Sequence, residues 1–276
     1  MVSVGSSIEL RQLKKTFQKP KKLIWGLILQ ILLFPLFAFL IASISNLPVE
    51  YKIGLVILAA CPGGTLSNFI SYLVKADTAL SVGLTSTNSL VILLTIPIYL
   101  ELAFLTFLNQ SVSLTLPIIN LILQVILLVI LPVLIGSVLR FYEPSKIIKL
   151  QKTLKIVSST LLAIFFLIKF LASDSRGGTD LTKTIVLSIL PWALLLNLAG
   201  LFLGYFSSRI LKLNRKISTT MGIEVGLQNT VLALLITDVI LLQPILGHPA
   251  LIYALFSFWT TLVFGFLLVK RDKKFP

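Results

Sequence analysis

Apolar residues fill this chain in runs of about 20, the length a helix needs to cross a hydrocarbon core, and polar residues gather at the joints between them. The runs place spans near 23–45, 53–73, 78–106, 115–139, 154–173, 184–208, 218–242 and 249–269. Breaker residues mark the joints, among them Asn46-Leu47-Pro48, Ala76-Asp77, Asn109-Gln110-Ser111, Glu143-Pro144-Ser145, Arg176-Gly177-Gly178 and Gly247-His248-Pro249. With no long linker between folding units, the pattern predicts one all-α polytopic membrane domain over 1–276, with about eight transmembrane helices.

Two of these spans are interrupted near their middle by a polar, glycine-bearing patch. One reads Gly63-Gly64-Thr65-Leu66-Ser67-Asn68, the other Glu224-Val225-Gly226-Leu227-Gln228-Asn229. Irregular backbone survives at mid-depth only where protein, water or ions satisfy the N–H and C=O groups it releases. Two such breaks in corresponding places predict a binding site at the midplane, as transporters have. The spans alternate in direction, so the two broken helices run antiparallel. Half-helix N-termini there attract anions, and loosened carbonyls attract cations.

Composition narrows the classes. Hydrophobic residues make up 57% and charged residues 12% of the chain, and the mean hydropathy is +1.01, outside the range of a soluble domain. Cys61 is the single cysteine and His248 the single histidine, which leaves no internal disulfide, zinc cluster or histidine triad. No nucleophile and base share a depth, so the chain does not read as an enzyme. Of 24 Lys and Arg residues, 20 fall on one set of helix ends and four on the other. Basic loops stay cytoplasmic, so both termini are expected inside, and the net charge of +14 needs no nucleic acid partner. Compact loops point to a bacterial inner (plasma) membrane. The first ten residues do not form a signal peptide, since the basic run starts at Arg11.

Glu224 is the one acidic residue placed inside a span away from its ends; Glu101 and Asp238 lie near the outer boundary. A carboxylate at mid-depth costs about 3 kcal/mol on insertion scales, and no Lys or Arg is expected at comparable depth. The counter-charge is then a proton or a bound cation. The neighbours are hard oxygen donors: the Gln228 and Asn229 amides, the Val225 and Leu227 carbonyls, and Ser67, Asn68, Ser81 and Thr85. One carboxylate among neutral oxygens suits a monovalent ion better than calcium. The plainer alternatives stay open. Glu224 protonated, and Gln30 with it, could tie helices together. Ser81 and Thr85, one turn apart, could bond back to their own backbone. Cys61 reads as a small buried hydrophobe, His248 as a solvated loop residue, and Asp238 as a helix cap or a vestibule residue. Pro35, Pro97, Pro132 and Pro191 read as kinks.

Cys61-Pro62-Gly63-Gly64-Thr65-Leu66-Ser67-Asn68, then Ala79-Leu80-Ser81 with Thr85, then Glu224-Val225-Gly226-Leu227-Gln228-Asn229 together resemble the bile acid:sodium symporter family. The resemblance extends to Gln30 and to Ala254-Leu255-Phe256-Ser257-Phe258-Trp259, in the same order, over nearly the whole chain. It implies an inverted-repeat transporter fold of ten helices, with two crossing broken helices in a core domain beside a smaller panel. Core helices would fall in 23–106 and 184–269, and panel helices in 115–173. The first two family helices would be largely missing, because Met1–Leu10 matches only the end of the second; the chain reads as an N-terminally shortened member. A late start codon, a subunit completing the panel, or a shortened relative would each account for that.

The resemblance further implies sodium-coupled symport of an organic anion, with two sodium ions. Ser67, Asn68, Ser81, Thr85 and Glu224 would hold one ion. Gln30, Glu224, Gln228 and the carbonyls of Val225 and Leu227 would hold the other. The anion would be bound by Thr65, Asn229, Thr260 and Thr261, the last two standing where some members have a His-Asn pair. Pantoate-like, keto-acid and sterol-like anions all remain open. The alternatives are a binding-only membrane sensor or pseudo-transporter, and a proton-coupled organic anion carrier.

Overall fold

A computed structural model describes residues 20–108, 123, 127, 131–142, 144–171, 178–179 and 181–270. The expected span at 115–139 and residues 1–19 lie largely or wholly outside them. The chain is all-α, and the described residues carry no strand. α1 runs Pro20–Ile44. α2 (Val49–Ala60) and α3 (Thr65–Leu73) are the halves of the first broken helix, and α4 spans Thr78–Phe107. α5 (Leu131–Tyr142) and α6 (Pro144–Leu171) follow, then α7 (Lys183–Ile210). α8 (Arg215–Gly226) and α9 (Thr230–Leu234, running on as a π-turn to Ile240) are the halves of the second broken helix, and α10 is His248–Lys270. Pro20–Ile44, Lys183–Ile210 and Pro244–Leu268 are each long and apolar enough to cross a membrane, as is α4 taken as one bent span.

Polar caps start the helices where the sequence leaves orphan N–H groups. The side chains of Asp77, Thr182, Asn214 and Asn229 accept from the N–H of Leu80, Ile185, Ile217 and Leu232. Proline explains two distortions. α4 bends by 63° between Ile92 and Leu94, where the ring of Pro97 meets the carbonyl four residues back. In α1, Pro35 cannot donate to the Ile31 carbonyl, and the Tyr99 hydroxyl of α4 donates to it instead. Just before that, residues Leu29–Leu33 form a π-turn.

Burial shows which helices face lipid. Ile24, Ile28, Leu32, Leu36, Leu40 and Ile44 form an exposed stripe at four-residue spacing along α1, an apolar outer face that suits hydrocarbon and not water. α8 is its opposite, buried at every residue from Ile217 to Gly226. It packs against α7 through glycines. A Cβ on Gly200 or Gly204 would stand 2.7 Å from the Val225 carbonyl or 2.4 Å from the Met221 carbonyl, so the two backbones touch.

Two expectations need correction. His248 is not a solvated loop residue; it is 6% exposed, opens α10 and packs its ring 5.5 Å from that of Tyr51. The 3-10 turn Pro244–Gly247 folds the preceding loop back onto α2 so closely that a Cβ on Gly54 would sit 2.2 Å from the Leu246 carbonyl, and His248 is carried inside. Asp238 does not cap a helix. It lies in the π-turn after α9, where Lys169 of α6 pairs with it at 2.7 Å and Thr237 donates to it at 2.8 Å.

Candidate functional site

The two breaks cross. α2 ends at Ala60 and the chain runs extended through Cys61 to Gly64 before α3 begins; α8 ends at Gly226 and Leu227 is extended before α9 begins. Gly63 and Gln228 pair as an antiparallel bridge, and the Asn229 N–H donates to the Pro62 carbonyl at 2.9 Å. The C-ends of α2 and α8 and the N-ends of α3 and α9 therefore meet at one point, and broken backbone satisfies broken backbone. A Cβ on Gly63 would lie 2.5 Å from Glu224 Oε2, so any larger residue there displaces the carboxylate.

Glu224 is fully buried beside this crossing. Its Oε1 accepts from Ser67 at 2.7 Å and from Ser81. Its Oε2 accepts from Thr85 at 3.0 Å and lies 3.4 Å from Gln30 Nε2. Ser67 comes from α3, Ser81 and Thr85 from α4, and Gln30 from the π-turn of α1, so three helices converge on one carboxylate of α8 through neutral groups.

The protons do not suffice for these contacts. Ser67 also faces the Gly64 carbonyl at 2.7 Å, and Ser81 and Thr85 also face Asn68 Oδ1 at 2.7 and 3.4 Å. Each hydroxyl has one proton to donate, so six close oxygen–oxygen approaches share three protons. A proton on Glu224 or a small cation among the oxygens relieves that crowding. The donor set of hydroxyl, amide and carboxylate oxygens fits an alkali cation, and no cluster of three or more His, Cys, Asp or Glu residues offers a transition metal a place among the described residues.

Of the second expected set, Gln30, Glu224, Gln228 and the Val225 carbonyl meet around the last turn of α8. Gln30 Nε2 donates to the Glu224 carbonyl at 2.9 Å, and Gln228 Nε2 to the Val225 carbonyl at 2.6 Å. Gln228 Oε1 is buried with no hydrogen-bond partner, an orphan acceptor of the kind a cation satisfies. Leu227 sits at the break itself, its side chain packed with Ile70, Val74 and Ile223.

The residues expected near the anion divide. Thr65, exposed, opens α3, and Asn229 caps α9 across the crossing, its Cα 3.8 Å from where a Cβ on Gly64 would be. Thr260 and Thr261 lie on α10, Thr260 linked to the second break through Asn197. Thr260 donates to Asn197 Oδ1 at 2.6 Å, and Thr261 is fully buried.

Three polar residues at the site escaped the sequence reading. Asn197 of α7 donates to the Gly226 carbonyl at 2.6 Å, and the Tyr253 hydroxyl of α10 donates to the same oxygen. Asn88 of α4 donates to Gln30 Oε1 at 3.2 Å. Asn197 and Tyr253 are lone polar groups in apolar runs, the one signal available to find them, whereas Asn88 lies within the polar run Thr85–Ser89 and nothing local singles it out. Asn197→Leu removes one of the two donors to the Gly226 carbonyl, while the Thr260 hydroxyl can turn to the Ser257 or Phe256 carbonyl, so we expect a loss of about 1 kcal/mol, read as a lower Tm that Asn197→Gln partly restores.

Comparison with known proteins shows the family. Residues 1–177 match the model described as "Sodium Bile acid symporter family". The chain is 30% identical over 255 residues to the "Probable sodium/metabolite cotransporter BASS1, chloroplastic" of Arabidopsis thaliana, covering 90% of this chain and 59% of that protein. It is 27% identical over 274 residues to the "Uncharacterized sodium-dependent transporter YocS" of Bacillus subtilis, covering 99% and 81%. It is 30% identical over 274 residues to the human "Sodium-dependent organic anion transporter", covering 98% and 69%. The chain thus spans less than two thirds of the length of the plant relative.

Proposed function

The chain belongs to the sodium bile acid symporter family, and from that premise we propose that it is a sodium-coupled symporter of an organic anion. Its relatives are sodium-dependent transporters and not enzymes, and a transporter of this kind works in a lipid bilayer with sodium as its coupling ion.

The observation that carries the proposal is the buried Glu224 carboxylate, surrounded by neutral oxygens and amides from α1, α3 and α4. One sodium ion sits among Ser67, Asn68, Ser81, Thr85 and Glu224. A second sits among Gln30, Glu224, Gln228 and the Val225 and Leu227 carbonyls. Sodium neutralises Glu224 and draws these helices onto the crossing, which sets the N-ends of α3 and α9 for an anion beside Thr65 and Asn229. Helices in 23–106 and 184–269 form the moving core and those in 115–173 the panel, with Lys169 and Asp238 tying the two. The termini face the cytoplasm of a bacterial inner membrane.

Linkage demands that sodium and anion tighten each other's binding. In proteoliposomes, uptake of pantoate, pyruvate and taurocholate is to be compared under inward sodium, potassium and proton gradients. Uptake that needs the sodium gradient supports symport. Uptake driven by protons and indifferent to sodium identifies a proton-coupled carrier, and binding without flux under any gradient identifies a sensor.

A further inference from the structure

Gln30 does not face Glu224 alone. Its Nε2 donates to the Glu224 carbonyl at 2.9 Å and lies 3.4 Å from Glu224 Oε2, while its Oε1 accepts from Asn88 Nδ2 at 3.2 Å. Both amides are 2% exposed. Asn88 follows Ser81 and Thr85 at positions i+7 and i+3 on α4, so all three share a face. A single buried side chain therefore links Glu224 to the Asn88 amide, on the α4 face that also carries Ser81 and Thr85.

The orientation of Gln30 follows from its neighbours. The end toward Glu224 meets two oxygen acceptors, which call for the nitrogen. A cation shared by Gln30 and Glu224 reverses that demand: the amide oxygen must face the ion, and the nitrogen is repelled. Gln30 then turns end for end, and its nitrogen swings to Asn88. Asparagine serves both arrangements, because turning its own amide exchanges a donor for an acceptor. The backbone under Gln30 is suited to movement, since the residue lies in the π-turn Leu29–Leu33, an insertion of the type that recurs at functional positions.

We propose that Asn88 is a positioning residue of the second sodium site, a reversible amide partner that lets Gln30 exchange its nitrogen for its oxygen toward Glu224 when sodium binds. The proposal rests on the sodium reading of the crossing given above.

The test is a thermal-shift titration of the purified full chain with sodium chloride against potassium chloride at constant ionic strength. Asn88→Leu, similar in size and without hydrogen-bonding capacity, is expected to raise the half-saturating sodium concentration about tenfold, the effect of one buried neutral hydrogen bond. Asn88→Ser, whose hydroxyl can donate or accept, is expected to stay within about threefold. In a Gln30→Leu background, Asn88→Leu should add nothing further, because its effect passes through Gln30. If Asn88→Leu does not purify, Asn88→Ala carries the same expectation. A lower Tm in potassium with the half-saturating sodium concentration unchanged overturns the proposal, and so does an equal effect of Asn88→Leu with and without Gln30. If wild type shows no sodium response, the sodium reading of the crossing fails, and this inference falls with it.

Discussion

Glu224→Gln is expected to abolish the sodium response of this protein while leaving its fold intact. The carboxylate is the only formal charge in an oxygen cluster that otherwise holds hydroxyls and amides, and both proposed ions share it. Removing it takes away the main attraction for either cation, so half-saturating sodium should rise at least about a hundredfold, the scale of a lost charge-assisted contact in a dry site. Stability in potassium should rise or stay level. Glutamine is close to isosteric, carries no charge to desolvate, and adds two N–H donors where six oxygen approaches now share three protons. Thermal shift in sodium and in potassium, with sodium-driven uptake alongside, separates these effects. Glu224→Asp keeps the charge but withdraws it by one methylene, so it should weaken sodium without erasing it. Acidification should imitate the glutamine, because a proton and a sodium ion neutralise the same carboxylate. A Glu224→Gln protein whose half-saturating sodium stays within about threefold of wild type would remove Glu224 from the coupling site, since a change that small is under 1 kcal/mol.

Much of this site could be read along the chain because its physics is local. An acidic residue and a glycine-bearing polar patch inside an apolar run violate the rule for a membrane helix, and such violations mark function. That reasoning found Glu224, both breaks and the hydroxyls facing them, and it placed α1, α4, α7 and α10 to within a few residues. It failed where a residue's environment is set by distant chain. His248 beside Pro249 reads as a loop, yet the 3-10 turn before it packs onto α2 and buries it. Asp238 reads as a boundary residue because nothing local reveals that Lys169, far earlier in the chain, meets it. Asn88 and Asn197 are single amides in apolar helices, and only the crossing shows which carbonyl or amide each one serves. The glycine pairs Gly200/Gly204 and Gly222/Gly226 were visible at four-residue spacing, but which helix each faces is a tertiary fact.

Those glycines give the other large expected effect. Between α7 and α8 there is no room for a methyl group: a Cβ at Gly204 would stand 2.4 Å from the Met221 carbonyl oxygen and 2.6 Å from its carbon, and one at Gly226 would stand 2.9 Å from the Leu201 nitrogen. The obstacle is backbone on both sides, so no rotamer change relieves it. Restoring ordinary contact at Gly204 requires the helices to part by about 1 Å, from 2.4 Å to 3.4 Å. α8 is buried along its length and carries Glu224, so any such shift disturbs the ion site as well as the packing. Gly204→Ala should cost about 1–3 kcal/mol, lowering Tm by several degrees, and Gly204→Val more. Half-saturating sodium should rise in the same variants, because Ser67, Ser81 and Thr85 belong to other helices and do not follow α8. Leu195→Ala, on a lipid-facing position of the same helix, should change neither quantity appreciably. If Gly204→Ala lowers Tm but leaves sodium binding untouched, α8 moves without carrying the carboxylate away from its partners, and the rigid coupling of packing to site is wrong. If Tm falls and half-saturating sodium rises together, the backbone contact between α7 and α8 is what holds the carboxylate at the crossing.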